Sequence, residues 1–156
     1  MILLLDTGLL GELCHPKQER CRNLWAWLFR LLDDEAGHRV LLPEIADYEL
    51  RRELLRLAKR QPSSESSLRR LDQLGEELEY LPLQTETLRR AAELWADARQ
   101  MGLGTAPMES IDADVILAAQ ARQVGGTVVT GNRKHLSRYV PVADWEELAR
   151  RGAEPT

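Results

Sequence analysis

ESIDADVILAAQARQVGGTVVTGN, residues 109–132, reads as a nearly all-apolar helix, a glycine stop at Gly125-Gly126, a short buried strand over residues 127–130 and a polar end at Gly131-Asn132. At about 100° per residue, Asp112, Gln120, Arg122 and Gln123 share one arc, expected to be solvated, and Asp114 falls on the opposite side with Ala118 and Ala121. Asp112 is an ordinary carboxylate near a helix start. Asp114 sits on a packed face, where a carboxylate must be paired, protonated or bound to a cation, because an uncompensated buried charge costs several kcal/mol or more.

Working outward, residues 2–5 form a continuous apolar run ended by Asp6-Thr7-Gly8. That is the pattern of a strand buried on both faces that delivers a carboxylate at its C-terminal end, where open α/β sheets bind ligands. A turn or short helix over residues 9–14 follows. Cys21, Leu24, Trp25, Leu28 and Leu32 then recur at three and four, which predicts a helix with one apolar stripe over residues 16–34. Residues 39–42 read as a second strand, and Pro43 as the opening of a helix to about residue 60, with Ala46, Leu50, Leu54, Leu57 and Ala58 on its apolar face. Glu49 and Glu53 fall on that same arc. Glu49 lies nearer the helix N-terminus, and so nearer the carboxyl edge of the sheet, by one turn of about 5 to 6 Å. Its plainer role is an intrahelical pair with Arg52.

The remainder alternates in the same way. Residues 61–67, polar and serine-rich, read as a loop leading into a helix with Leu68, Leu71, Leu74 and Leu78. Residues 79–83 read as a third strand, and Thr85 as the cap of a helix carrying Leu88, Ala91, Ala92, Trp95 and Ala98. Residues 102–107 read as a loop. Residues 139–142 suit an edge strand, and residues 143–151 a short helix with Trp145 and Leu148 inward. Strands alternating with helices define an α/β chain with a mostly parallel central sheet.

At 156 residues the chain fits one domain, 1–156. The run at Met1 to Leu5 has no basic flank or small-residue cleavage site, which argues against a signal peptide. No run approaches the roughly 20 apolar residues of a membrane span. Cys14 and Cys21, with no second Cys/His pair to complete a zinc site, are read as thiols of a reducing cytoplasm. A net charge of −4 argues against binding nucleic acid through overall charge and leaves that role to local clusters, such as Arg51-Arg52 and Arg133-Lys134-His135.

Asp6, Glu49, Asp114 and Asn132 can thus converge at one edge of a parallel sheet. Three carboxylates brought together repel unless a divalent cation neutralises them, and an all-oxygen set suits Mg²⁺ or Mn²⁺ rather than zinc. Such a site favours phosphoryl chemistry. Asp6-Thr7-Gly8 also matches the aspartic-protease triplet, but the helix-rich remainder is wrong for that β-rich fold. A phosphoacceptor receiver domain would need a lysine where Thr130-Gly131-Asn132 stands. The same fold used as an RNA- or protein-binding module that does not cut is the closer rival.

LLLDT at residues 3–7, LPEIADYELRREL at 42–54, DADVILAAQA at 112–121 and VVTGNRKHL at 128–136, in this order, resemble the PIN-domain family of metal-dependent nucleases, and within it the VapC-type ribonuclease toxins. The resemblance covers nearly the whole chain. It implies a three-layer α/β/α sandwich and one or two Mg²⁺ or Mn²⁺ ions held by Asp6, Glu49 and Asp114. It further implies single-stranded or structured RNA as substrate and, often, a homodimer inhibited by a small antitoxin. Arg52, Arg133 and Lys134 flank the site residues and are the expected RNA contacts. The chain departs from many relatives at Asn132, where a fourth Asp is common, and in its serine-rich helical insert.

Overall fold

The computed structural model describes residues 1–102 and 108–152. Five strands, β1 (Ile2–Leu5), β2 (Arg39–Pro43), β3 (Glu79–Leu81), β4 (Thr127–Val129) and β5 (Val142–Ala143), form one sheet in the order β3-β2-β1-β4-β5 with every pairing parallel. Among the described residues eight helices flank it: α1 (Thr7–Leu13), α2 (Arg22–Leu32), α3 (Glu44–Ala58), α4 (Ser63–Glu77), α5 (Thr85–Gln100), α6 (Met108–Val124), α7 (Arg133–Leu136) and α8 (Trp145–Arg151). A 3-10 turn, Gln18–Cys21, precedes α2.

The period-two alternation of side chains along a strand divides the core in two. Leu3, Leu5, Val40 and Leu42 face Leu10, Leu13, Leu24, Trp27, Leu28, Leu50, Leu71 and Leu74, so α1 to α4 cover one side, with Trp145 and Leu148 of α8 packed against them. Leu4, Leu41 and Val128 face Ala91, Leu94, Val115, Leu117 and Ala118, so α5 and α6 cover the other, with Leu136 of α7. Three layers result. Cys14 lies in the first core, where burial pushes its thiol up to about 12, which makes it a packing residue rather than a nucleophile.

The glycine pair after α6 does the work expected of it. Gly125 takes φ +63°, its N–H donates to Arg122 O at 3.3 Å, and the Gly126 N–H donates to Ala121 O at 2.9 Å. This Schellman pattern satisfies the last carbonyls of the helix. A Cβ on Gly126 would come within 2.4 Å of Leu4 Cδ1, so a side chain there would collide with the central strand.

Several elements differ from expectation. The serine-rich segment is not a loop: Ser63–Glu77 is helical from its start, Ser64 and Ser67 are buried, and the Ser66 hydroxyl donates to Ser63 O at 2.7 Å. Serine composition suggested solvent, but small side chains spaced three apart fit a close helix contact, here with α3. Pro43 ends β2, in register with Leu81, and the helix starts one residue later. In α2 the buried tryptophan is Trp27, beside Trp145, whereas Trp25 stacks half-buried on Phe29 and Leu32 is exposed. Gln84, not Thr85, holds the N-cap position of α5. Leu94 and Thr87 are buried there, while Leu88 and Ala92 are exposed. The edge strand begins at Val142 because the Tyr139 and Val140 N–H groups both turn back to Leu136 O. The third strand stops at Leu81. The loop expected after Gly102 lies outside the described residues.

Gln120 is the clearest reversal. The helical wheel puts it on the solvated arc of α6, yet it is fully buried, donating to Leu81 O at 2.7 Å and accepting from the Ile45 N–H at 3.4 Å. The amide joins the end of β3 to the start of α3, and α6 is enclosed on this side too. Asp112 is exposed and Asp114 half-buried, as the wheel indicated.

Candidate active site

The strand order reverses direction at β1, whose neighbours β2 and β4 lie on either side, and crevices at such switch points are where parallel sheets bind ligands. Asp6 leaves β1 here. Its N–H donates to Val129 O at 3.2 Å, which continues the ladder, and its Oδ1 accepts from the Leu9 N–H at 2.7 Å, which caps α1. The capping role and exposure to the crevice coexist because Asp6 keeps a second oxygen.

A cavity of about 120 Å³ opens at this edge, lined by Asp6, Thr7, Gly8, Glu49, Ala113, Asp114, Leu117, Thr130, Asn132, His135 and Leu136. All four residues singled out for chemistry, Asp6, Glu49, Asp114 and Asn132, are therefore walls of one space. Glu49 was preferred to Glu53 on distance from the sheet edge, and the structure separates them: Glu53 is exposed and held by Arg56 at 2.6 Å, whereas Glu49 turns into the cavity.

Two hydroxyls that sequence reasoning passed over hold these acids. Thr7 Oγ1 donates to Glu49 Oε1 at 2.8 Å, tying the first residue of α1 to the second turn of α3. The Thr130 hydroxyl donates to the Asp6 carboxylate and accepts the Asn132 N–H at 2.9 Å. Both threonines adjoin positions already suspected, in DT and VVTGN, and that adjacency was the available signal. Asn132 occupies the N-cap position of α7, but its side chain makes no capping bond; the backbone N–H closes the turn. Asn132 is itself a wall of the cavity. His135 is the other missed wall residue, read beforehand only as part of a basic cluster.

Burial raises the Asp6 carboxyl above its ordinary value, the Thr130 hydroxyl and Leu9 N–H oppose that, and Glu12 and Glu49 add to it. Burial also raises Asp114; His135 and Arg138 act against the shift, and Glu49 and Asp6 reinforce it. The acids thus feel one another. Among the described residues the cavity walls contain no lysine or arginine. Their donor set, three carboxylates, an amide and hydroxyls, is all oxygen apart from His135 and matches a hard divalent cation. Among the described residues, however, no three His, Cys, Asp or Glu side chains stand close enough to form a ready-made ion site. The chemistry of the walls, by the types of their donor atoms, fits a hard divalent cation.

Of the expected RNA contacts, Arg52 approaches Glu49 at 3.8 Å, Arg133 is doubly bonded to Glu147 at 2.8 and 3.0 Å, and Lys134 is exposed. None is a wall of the cavity.

A parallel α/β/α sandwich with paired acids at its switch point defines a class of proteins with a polar, cation-suited crevice. The chain belongs to the PIN domain family, whose profile matches residues 3–140. PIN domains are typically nucleases and generally use divalent metal ions. Among solved structures it is similar to FitAcB from Neisseria gonorrhoeae, at 26% identity and TM-score 0.70, over 92% of this chain and 98% of that one. VapBC2 from Rickettsia felis, solved bound to a DNA fragment from its promoter, shares the fold at 21% identity and TM-score 0.66, over 93% and 99% of the two chains. VapBC from Salmonella typhimurium, also DNA-bound, does so at 21% and TM-score 0.62, over 93% and 98%. No curated protein matches the sequence. Among the described residues no helix is long and apolar enough to cross a membrane.

Proposed function

We propose that this chain is a ribonuclease that hydrolyses RNA phosphodiester bonds with Mg²⁺ or Mn²⁺ held by Asp6, Glu49 and Asp114, with Asn132 as a supporting oxygen ligand. The observation that carries this is the convergence of three acids and one amide on a single cavity, two of the acids raised by burial and by their neighbours. A bound divalent ion would offset charge on the scissile phosphate and activate water. The chain's own residues prepare for it. Thr7 and Thr130 fix the orientation of Glu49 and Asp6, Leu117 and Leu136 exclude bulk water from one wall, and Arg138 places positive charge on the Asp114 side, where a phosphate would enter.

The biological reading that goes with it is the toxin of a type II toxin–antitoxin pair, a single cytoplasmic domain over residues 1–156, acting as a homodimer and restrained by a small antitoxin. The similarity to FitAcB and the VapBC structures supports it. Cleavage of RNA should appear with Mg²⁺ or Mn²⁺, vanish in EDTA, and fall by orders of magnitude in Asp114→Asn; full activity of that variant removes the site assignment.

A second reading is favoured by one observation, that the acids are not drawn into a ready-made ion site. On it the chain binds RNA or a protein without cutting. Absence of cleavage under every divalent ion, together with retained RNA binding, selects it.

A further inference from the structure

We propose that Tyr48 and Arg52 form a stacking platform beside the acidic cavity, on which one unpaired nucleobase of the substrate rests. The inference rests on the ribonuclease reading above and adds two substrate-positioning residues outside the cavity walls.

Tyr48 lies on α3 one residue before Glu49, yet contributes nothing to the core: that helix buries Ile45, Ala46, Leu50 and Leu54, and Tyr48 is 56% exposed. A singly exposed aromatic residue needs no explanation by itself. Its surroundings do. The Arg52 guanidinium carbon sits 5.3 Å from the Tyr48 ring centroid, and the same guanidinium approaches Glu49 Oε2 at 3.8 Å. Ring, cation and cavity acid are therefore consecutive, and the ring centre lies within about 10 Å of the Glu49 carboxylate. That reach is a few nucleotides along a stacked strand, which rises about 3.4 Å per nucleotide along its axis.

Neighbouring arginines are committed elsewhere. Arg51 is held by Asp47 and by Asp72, each at 2.8 Å, and Arg56 by Glu53. Arg52 has the longer approach to Glu49, the ring and a charge interaction with Glu53, but no close hydrogen-bonded carboxylate among the described residues, which leaves its N–H groups able to meet a phosphate. An aromatic face paired with an arginine, continuous with a phosphodiester-cleaving cavity, is the combination that holds unpaired bases without reading their sequence. A base inside a duplex cannot reach such a ring, because its faces are already stacked.

Steady-state cleavage of a short single-stranded oligoribonucleotide, and of the same sequence in a duplex, tests this on the full chain. Tyr48→Leu should raise KM for the single strand by about fivefold to a hundredfold, the range for loss of one stacked base, with a smaller change in kcat. Its preference for single strand over duplex should shrink, and Tyr48→Phe and Tyr48→Trp should restore both. Thermal melts of each variant show whether the fold is kept. Unchanged KM in a folded Tyr48→Leu protein overturns the platform, as does equal loss on both substrates. A change of sedimentation with KM intact also overturns it and makes the ring a protein contact. If the parent cleaves no RNA with any divalent ion, the underlying ribonuclease reading has failed instead.

Discussion

At the scale of single residues the acids carry the argument, because their environment gives a sign that can be measured without activity. Asp6 and Asp114 have folded-state carboxyls raised above 3.8, chiefly by burial. Between 3.8 and the raised value the folded protein binds more protons than the unfolded chain, so stability falls as pH rises through that window, and the penalty persists at neutral pH. In EDTA, Asp114→Asn should therefore melt at a higher temperature than the parent at pH 7, and the gap should close as pH falls toward 4; equal melting temperatures at both values would remove the burial argument. Asn132 gives the complementary test. Its side chain is not spent on a cap, so Asn132→Asp should lower the Mg²⁺ concentration that half-saturates cleavage, whereas superimposable titrations would make the residue a bystander. That Asp6, Glu49 and Asp114 meet at one cavity was legible in the sequence, because a charge on an apolar arc or at the end of an apolar run violates a local pattern; Asn132 was legible from its place after the last strong strand. Thr7, Thr130 and His135 were not. Thr7 bonds Glu49 from 42 residues away, and nothing in periodicity encodes a contact made by tertiary approach.

Elements were legible where their periodicity was strong and misread where composition stood in for it. The apolar runs of β1 and β4 fixed the centre of the sheet, and the double glycine fixed the end of α6. Ser64, Ser67 and the amide of Gln120 looked solvated because they are polar, yet all three are buried, the serines by small size and the amide by satisfied hydrogen bonds. Each glycine of the pair should fail for its own reason. Gly125 has open space around a Cβ but a positive φ, so Gly125→Ala should cost about 1 kcal/mol of strain. Gly126 has an ordinary backbone but Leu4 Cδ1 at 2.4 Å, so Gly126→Ala should cost about 1–3 kcal/mol by overpacking the sheet. Urea denaturation of both variants checks this, and a Gly126→Ala midpoint equal to the parent's would mean that Leu4 yields without cost.

For the whole molecule the proposed function poses an electrostatic problem: a chain of net charge −4, with acids concentrated in its cavity, would have to hold a polyanion. Overall attraction cannot do it, so on that proposal affinity would depend on a few placed cations and on the metal. The structure ranks those cations. Arg133 is clamped by Glu147 through two hydrogen bonds, and releasing it to a phosphate means breaking that pair; Lys134, on the same short helix, is exposed. A contact that neutralises one phosphate of a single strand contributes about 0.7 to the slope of log affinity against log salt. Lys134→Ala should therefore flatten the slope by about that amount, and Arg52→Ala likewise, whereas Arg133→Ala should change it less because its charge is already matched. Binding of a single-stranded RNA measured across a salt series for the three variants orders them. A slope that falls most for Arg133→Ala would show that the Glu147 pair opens on binding, and that α7 rather than α3 carries the strand into the cavity.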